Sequence, residues 1–447
     1  MSLASRRSGA RSLIVALLVA GCEHGRSAPP APDGAGGVVI SAPGAAPSPP
    51  SAREHPTTDG AIAVGNLSSQ IAGYEAALSR QPKAAETMRR LASLLAQRAE
   101  FLGQLEDWDR AVALVEASLA LEPQGVDAWL ARAELRASLH RFSDALADLG
   151  EAARRGAKPD RTDGLRASIL LATGHLDAAL ALRQAAVKAW PNVRSLGAQA
   201  VVLGALGRTD EAEAAFGAAL DKFHDTSPFP LAWLWFQQGL LWERAGRLGR
   251  ARELYEAAHA RLPQHAAAAG HLAGILAAQG ERDQAIALLR PLLDGSTDPE
   301  YVGQLAALLR EAGQPDEAER LRARATKRFD DLLARHPEAF ADHAARFFLG
   351  AGADGKRALA LALRNLALRP TVEAHQLALE AALAGGTPAE ACDLAARALT
   401  VCGAVAGDGG APSSRCGAHL HVLASRAFSA CGHADRAAAE LRAAAGE

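Results

Sequence analysis

Apolar and polar residues follow a repeating helical pattern from about residue 67 to the end of the chain. In each copy, two apolar-striped stretches follow one another, which predicts a pair of amphipathic helices. An alanine opens the second stretch of each copy, and most copies have a glycine five positions before it. The alanines are 33 to 46 residues apart and are Ala111, Ala145, Ala179, Ala212, Ala251, Ala285, Ala318, Ala358, Ala391 and Ala437. The glycines are Gly174, Gly207, Gly246, Gly280, Gly313, Gly386 and Gly432.

The copy from Leu234 to Pro263 shows the pattern most clearly. Its characteristic residues are Trp235, Gly239, Trp242, Ala251, Tyr255, Ala258 and Pro263. A period of about 34 residues, with a small-residue turn between two helical stretches, resembles the tetratricopeptide repeat (TPR). The resemblance covers about residues 67 to 447. It implies an all-α fold, a TPR-type helical-hairpin solenoid of about ten repeats, which we place at residues 65–447.

The residue types of this pattern have a physical reason. Small residues let the two helices of a pair approach closely, and large residues fill the remaining space. A closing proline ends the second helix because it has no backbone donor. Since one pair leaves an apolar face exposed, pairs must stack into a solenoid.

Three copies depart from the regular length, and one helix stands outside the pairs. The copies ending near Ser227, Phe340 and Gly417 carry extra residues, which we expect in longer loops or in extended second helices. The segment from Ile71 to Gln81 predicts a single helix that caps the N-terminal end of the solenoid.

The first 21 residues are predicted to be a signal peptide. Arg6, Arg7 and Arg11 precede the apolar run Leu13–Ala20, which is too short to span a bilayer. The run ends in Val-Ala-Gly-Cys, which resembles the bacterial lipobox, so Cys22 is the predicted lipidation site. An ordinary cleaved signal with a chance cysteine is the alternative. Lipidation of Cys22 would make the protein a membrane-anchored lipoprotein. Because Glu23 and not Asp follows Cys22, we expect, by analogy with enteric lipoprotein sorting, that its membrane is the outer membrane and that it faces the periplasm.

Residues 22–64 are predicted to be a disordered linker. They are rich in Pro, Ala, Gly and Ser, a composition that cannot bury enough apolar surface to fold. We expect this linker to act as a spacer between the lipid and the solenoid.

Composition excludes several classes of protein. The chain has 48 basic and 50 acidic side chains, a net charge of -2, which does not favour binding to nucleic acid. Aromatic residues make up 4% of the chain, so a large β-sheet protein is not expected. The sequence also has no Gly-rich phosphate loop, nucleophile elbow or paired-cysteine metal motif. We therefore predict no enzyme, no cofactor and no metal.

Four cysteines lie in the C-terminal end of the solenoid, at residues 389–447. In an exported protein, an even set of clustered cysteines favours disulfides. Stacking of neighbouring helix pairs predicts the bonds Cys392–Cys431 and Cys402–Cys416. The alternative is a metal site formed by Cys416, His419, His421, Cys431 and His433, although their spacing is not that of a paired zinc knuckle. Mass spectrometry of unreduced peptides would distinguish the two.

A second group of metal-ligating residue types lies near residue 336. It consists of His336, His343, Asp330, Asp331 and Asp342. On helices these side chains fall on different faces, so we expect solvated charges and not a site.

The resemblance to TPR proteins implies that a partner binds in the concave groove, which is lined by the first helix of each repeat. Carried onto this chain, the groove residues are Trp233, Phe236, Leu240, Glu243, Arg244, Phe340, His343 and Phe347. Neighbouring copies offer only small residues there, such as Gly197, Gly270 and Gly303. Aromatic residues beside such a floor suit an apolar or extended peptide. The alternative is that Trp233 and Phe236 belong to the core.

Taken together, these features predict a non-enzymatic scaffold or adaptor in the bacterial cell envelope. A lipid would anchor it to the membrane, and the groove would bind one or more protein partners. A small-molecule or polysaccharide-binding envelope lipoprotein that uses an aromatic pocket is the alternative. A zinc-dependent activity of the C-terminal repeats is a third hypothesis.

Overall fold

The structure is a computed structural model that describes residues 55–405 and 413–445, without the side chains of residues 404–405 and 413–417. The predicted signal peptide, the predicted lipidation site Cys22 and most of the predicted linker lie outside the described residues. Within them, helix is the only regular secondary structure, as the sequence predicts. None of these helices combines the length and the apolar character needed to cross a membrane.

The described helices form ten pairs after one N-terminal helix. The first eleven are α1 (Gly60–Arg80), α2 (Ala85–Leu102), α3 (Glu106–Leu121), α4 (Val126–Ser138), α5 (Phe142–Arg154), α6 (Pro159–Ala172), α7 (Leu176–Ala189), α8 (Val193–Ala205), α9 (Thr209–Asp221), α10 (Pro228–Arg244) and α11 (Leu248–Arg261). The others are α12 (Ala266–Ala278), α13 (Arg282–Leu289), α14 (Leu292–Gly295), α15 (Pro299–Glu311), α16 (Pro315–Arg335), α17 (Pro337–Leu349), α18 (Gly355–Leu368), α19 (Val372–Gly385), α20 (Pro388–Val405), α21 (Ser413–Ala430) and α22 (Ala434–Ala445). The first helices of the pairs are α2, α4, α6, α8, α10, α12, α15, α17, α19 and α21, and the short α14 extends the second helix α13.

A recurring tight turn joins the two helices of most pairs. In the repeat built from α10 and α11, Gly246 has φ 71°, a conformation that glycine adopts without steric cost. The N–H of Arg247 then donates a 2.8 Å hydrogen bond to the carbonyl oxygen of Trp242. This hydrogen bond closes the C-terminal end of α10. His140 takes the place of this glycine in the repeat of α4 and α5, with φ 57°.

Among the described residues, helical structure begins earlier than the sequence predicts. Helix α1 starts at Gly60, so residues 60–64 are not linker, and the helix is longer than the expected Ile71–Gln81 segment. The side chain of Asp59 accepts hydrogen bonds from the N–H groups of Ala61 and Ile62 and so caps the helix. The predicted boundary is wrong because the small residues of this segment resemble the linker in composition.

Where the extra residues of the three long copies are described, they lie in longer helices and in one longer connection. Helix α16, which ends the copy near Phe340, is 21 residues long, as an extended second helix predicts. In the copy ending near Ser227, however, residues from Pro228 onward form the first turn of α10, which has 17 residues. That extension lengthens a first helix and is not among the expected arrangements, whereas the long connection at residues 222–227 agrees with the expected longer loop.

The solenoid packs against itself. Residues 55–175, which we call the first winding, contact residues 223–371, which we call the second winding. Their contact surface, the winding contact, joins hydrogen-bonding partners that are 168 to 227 residues apart in sequence. The N–H of Thr297 donates to the carbonyl oxygen of Gly103 at 2.9 Å, and the N–H of Leu105 donates to Thr297 Oγ1 at 2.8 Å. Turns within the repeats of the first winding therefore pack on connections between the repeats of the second.

Charged side chains add to the winding contact. Glu106 pairs with Arg328, and Asp109 pairs with Arg335. His336 Nε2 lies 2.7 Å from Asp109 Oδ1. Farther along, His140 Nδ1 lies 3.2 Å from the carbonyl oxygen of Glu338.

The apolar core also crosses the winding contact. The ring of Phe101 in α2 lies 5.0 Å from the ring of Phe229 in α10 and 5.1 Å from that of His265. One contiguous buried cluster includes Phe101 and Leu102 from the first winding and Leu332 and Phe340 from the second. The N-terminal end takes part as well, because the N–H of Thr58 donates to the carbonyl oxygen of Thr226 at 2.8 Å.

Candidate functional site

Most of the predicted groove residues are buried. Trp233 is 4% exposed and Phe236 is 2% exposed, and Leu240, Phe340 and Phe347 are buried as well. The Phe236 ring lies between those of Tyr255, His265 and His271, with centroids 5.1 to 5.7 Å apart. These side chains form core packing, so the prediction that they line an open groove is wrong for these five residues.

The predicted floor of small residues explains why the groove is filled. A Cβ atom added at Gly303 in α15 would lie 2.7 Å from the ring of Phe347 in α17. A Cβ atom added at Gly197 in α8 would lie 2.9 Å from the ring of Trp233 in α10. Each glycine therefore accommodates an aromatic side chain of the next repeat. The aromatic pocket expected for a small molecule or a polysaccharide is closed at these residues.

The polar residues of the predicted groove have different surroundings. Glu243 is half-buried, and its Oε2 accepts a 2.7 Å hydrogen bond from the Tyr255 hydroxyl and lies 2.8 Å from His271 Nδ1. Arg244, the last residue of α10, is exposed. Only Arg244 of the predicted set offers a freely accessible side chain.

A buried network of charged side chains surrounds His343. Its Nδ1 lies 2.7 Å from Glu300 Oε2, and its Nε2 lies 3.8 Å from Asp342 Oδ1. Asp342 Oδ2 in turn lies 3.4 Å from Arg369 Nη1. The side chains of Asp342 and Arg369 are each 5% exposed. The network connects α15, α17 and the segment that follows α18.

The charges of this network set the protonation of its members. Burial alone would lower the pKa of His343, but the carboxylates of Asp342, Glu300 and Asp298 raise it to about 9. Burial alone would raise the pKa of Asp342, but the positive charges of His343 and Arg369 hold it at about 2. Burial and the nearby Glu300 carboxylate raise the pKa of Asp298 to about 6. At neutral pH, His343 is therefore a buried imidazolium between ionised carboxylates.

His140 reaches the edge of this network from the first winding. Burial and the positive charge of Arg369 lower its pKa to about 3, so the imidazole is neutral at neutral pH. Its bond to the backbone at Glu338 joins the α4–α5 turn to the start of α17. The network thus lies where the two windings meet.

The predicted group near residue 336 does not converge on one point. Asp330 pairs with Arg357, and His336 pairs with Asp109 of the first winding. The expectation that these side chains fall on different faces agrees with this arrangement. The expectation of solvated charge is wrong for His343 and Asp342, because packing of neighbouring repeats covers both.

The C-terminal cysteines are close in space. Cys392 near the start of α20 and Cys431 after the end of α21 form a disulfide in the structure, with Cα atoms 6.5 Å apart. Cys402 is also disulfide-bonded. The side chain of Cys416 lies outside the described residues, so the bond Cys402–Cys416 stays a prediction.

Two histidines of the alternative metal site are engaged elsewhere. His419 Nε2 lies 2.8 Å from Glu380 Oε1, and His421 Nδ1 lies 2.7 Å from Glu440 Oε2. These glutamates belong to two different helices, α19 and α22, and the described ligand cluster around Cys431 contains Cys392 and His433 instead. The described residues therefore do not bring His419 and His421 to a common point with Cys431.

Family models identify the repeats. Two models described as tetratricopeptide repeat match the chain, one at residues 244–309 and the other at residues 102–162, 165–229 and 198–258. Residues 102–162 and 165–309 are therefore tetratricopeptide repeats. No curated protein sequence matches the chain.

Solved TPR structures are similar to parts of the chain. One is a tetratricopeptide repeat protein from Parabacteroides merdae, with 17% identity, 55% of this chain and 93% of that chain covered, and a TM-score of 0.40. Another is YrrB, described as a TPR protein with an unusual peptide-binding site. It has 19% identity, covers 44% of this chain and 95% of its own length, and has a TM-score of 0.26.

Three members of the buried network were not singled out from the sequence. They are Asp298, Glu300 and Arg369. Ala318 fixes the alignment of its repeat and places Glu300 at the second position. The second position is one of the groove positions, so the repeat alignment contains a signal for Glu300. Asp298 and Arg369 lie between helices, where the repeat pattern gives no signal.

Proposed function

We propose that this TPR protein is a non-enzymatic scaffold of the bacterial cell envelope that binds a protein partner. The observation that carries the proposal is the stack of TPR helix pairs, which the family models match between residues 102 and 309. TPR pairs present a continuous surface built from many repeats, and such surfaces are suited to binding another chain. The proposal assigns no catalytic step to any residue.

We propose that a lipid on Cys22 anchors the scaffold, in the outer membrane and facing the periplasm. The apolar run before Cys22 and the lipobox-like sequence at its end support this assignment. Two or more acyl chains at about 0.8 kcal/mol per buried methylene give stable membrane binding. Detergent-phase partitioning of the full chain tests the anchor: the native protein should enter the detergent phase, and the Cys22→Ser variant should stay in the aqueous phase.

The partner surface must be one that the winding contact leaves accessible. Gly246, Gly280 and Gly313, in turns within the repeats of the second winding, are exposed, whereas Gly103 in the equivalent α2–α3 turn of the first winding is buried. Arg244, Arg247 and Arg310 are exposed at these turns. We propose that these three arginines bind an acidic segment of the partner, since guanidinium groups form paired hydrogen bonds with carboxylates.

Affinity purification of the full chain from crosslinked envelopes tests the proposed function. We expect one specific protein to copurify with the native chain and to be lost from the Arg244→Glu and Arg247→Glu double variant. Arg397→Glu is the matched control, because Arg397 is half-exposed and pairs within its own helix with Asp393 at 3.0 Å. Retention of the partner in the double variant and in Arg310→Glu would contradict the proposed surface. Absence of any specific partner of the native chain would contradict the scaffold.

A further inference from the structure

Three metal-ligating side chains meet at the C-terminal end of the solenoid. Sγ of Cys392, Sγ of Cys431 and a ring nitrogen of His433 all lie within 4.8 Å of one another. Cys392 belongs to α20, and the other two residues belong to the turn between α21 and α22. The turn is fixed by the N–H of His433, which donates a 2.8 Å hydrogen bond to the carbonyl oxygen of Phe428.

We propose that Cys392, Cys431 and His433 form a binding site for a thiophilic divalent cation, Zn²⁺ in particular, whenever the Cys392–Cys431 disulfide is reduced. A dithiol reductant transfers two electrons and two protons to the disulfide, which yields two protein thiols, while the reductant becomes a disulfide. Binding of Zn²⁺ to both sulfurs and to the imidazole nitrogen then releases the two thiol protons. The same pair of cysteines thus serves as a crosslink when oxidised and as a metal site when reduced.

The dimensions of the cluster fit this chemistry. Zinc binds thiolate sulfur at about 2.3 Å and imidazole nitrogen at about 2.0 Å, so tetrahedral ligand atoms are about 3.5 Å apart. The three ligand atoms already lie within 4.8 Å of one another, so rotation of the side chains on reduction suffices to bring them to this spacing.

The exposure of the cluster leaves room for a fourth ligand. Both cysteines are half-buried, and His433 is exposed, so solvent reaches the imidazole side of the site. Three protein ligands with one open position for water are a common arrangement around Zn²⁺. His419 and His421, by contrast, are bonded to Glu380 and Glu440, so His433 is the imidazole that the described geometry offers to the two sulfurs.

The alternative is that the reduced thiols donate hydrogen bonds to neighbouring backbone carbonyl groups. Sγ of Cys392 lies 3.3 Å from the carbonyl oxygen of Ala427, and Sγ of Cys431 lies 3.6 Å from that of Phe428. In that case, two thiols would donate weak hydrogen bonds and no metal would bind. The two possibilities differ in the proton release and in the spectrum of a bound probe ion.

Cobalt binding to the full chain tests the proposal, because Co²⁺ substitutes for Zn²⁺ and thiolate-to-Co²⁺ charge transfer is visible by absorption. The chain is reduced with a phosphine, desalted without air and titrated with Co²⁺. We expect one Co²⁺ per chain with a charge-transfer band, displaced by Zn²⁺, and no band in the oxidised chain. His433→Gln should weaken binding by about tenfold or more, and Cys392→Ser should abolish the band.

The Cys402→Ser and Cys416→Ser double variant is the matched control, since it removes the other pair of cysteines and leaves the cluster intact. We expect it to keep the charge-transfer band of the native chain. A reduced native chain without the band would overturn the proposal. An unchanged affinity in His433→Gln, or a band that depends on Cys402 and Cys416 and not on Cys392, would overturn it as well. Circular dichroism of each variant shows whether the helices are retained.

Discussion

The backbone amide of Thr297 donates a 2.9 Å hydrogen bond to the carbonyl oxygen of Gly103. Thr297 lies in the connection before α15, and Gly103 lies in the turn between α2 and α3. A bond between such distant repeats means that the second winding rests directly on the first. The solenoid is therefore closed along part of its length, and this closure limits which surfaces a partner can reach.

Loss of the Asp109 charge should weaken the winding contact. Asp109 pairs with both Arg335 and His336, so Asp109→Asn removes two charged contacts between the windings. Because the Asp109 side chain is 39% exposed, we expect a loss of only about 1 kcal/mol in the free energy of unfolding. Urea denaturation measures this value.

Glu86→Gln is the control for that experiment. Glu86 pairs with Arg90 one helical turn away in α2, and both side chains are exposed. We expect its unfolding free energy to stay within about 0.5 kcal/mol of the native value. Equal effects of Asp109→Asn and Glu86→Gln would contradict a role of Asp109 in joining the windings.

An alanine at Gly303 should destabilise the solenoid. The added methyl group would lie 2.7 Å from the Phe347 ring, which is itself packed 5.0 Å from Phe329 and cannot move freely. We expect Gly303→Ala to lower the free energy of unfolding by about 1 to 3 kcal/mol, as is typical of overpacking.

Gly217 provides the matched control for Gly303. It lies inside α9, and nothing approaches within 4 Å of an added Cβ atom. Gly217→Ala should stabilise the protein by about 0.5 to 1 kcal/mol, because alanine has the higher helix propensity. A loss of stability in Gly217→Ala as large as in Gly303→Ala would show that the Phe347 contact is not the cause.

Truncation of Trp233 distinguishes a core residue from a binding residue. Since Trp233 is buried and packs against Gly197, we expect Trp233→Ala to lower the free energy of unfolding by about 3 to 5 kcal/mol. Arg244→Ala, in the same helix but exposed, should change it by less than about 0.5 kcal/mol. A Trp233→Ala variant as stable as the native chain would contradict a core role of Trp233 and would make it a candidate binding residue again. Thermal denaturation of both variants measures the difference.

The buried imidazolium of His343 should make stability depend on pH. The pKa of His343 is raised from 6.5 to about 9 in the folded protein, so its contribution is fully present below pH 6.5 and lost as pH rises through 9. We therefore expect the stability difference between the native chain and His343→Gln to be larger at pH 6.5 than at pH 9.5, by up to about 3 kcal/mol. Chemical denaturation at the two pH values measures it. A difference that is the same at both would mean that His343 is not charged in the fold.

The repeat pattern predicts the helix pairs well because each pair is local in sequence. Alanines at the start of each second helix and glycines such as Gly246 have a fixed place in the pair, so a single sequence reveals them. The pairing of Cys392 with Cys431 belongs to the same class of inference, since neighbouring repeats decide which cysteines approach each other. Cell conditions decide whether that bond forms, so the oxidised state stays a prediction.

The winding contact was not predicted, because it depends on the accumulated rotation between many repeats. Small changes in the rotation between neighbouring repeats add up along the solenoid and decide whether Asp109 reaches Arg335. No local sequence pattern indicates this total rotation. The prediction that the aromatic residues line a groove is wrong for a related reason. Their positions in the repeat are right for a concave face, but a bulky Phe347 next to Gly303 fills the space that a partner would need.

Hydrogen–deuterium exchange at Thr297 tests the closed solenoid most directly. The amide of Thr297 lies between helices, where an open solenoid leaves it accessible to water, and in this fold Gly103 accepts its hydrogen. The account predicts that this amide of the native chain exchanges as slowly as amides inside α15, and faster in Asp109→Asn. Exchange of the Thr297 amide at the rate of an exposed loop in the native chain would contradict the account.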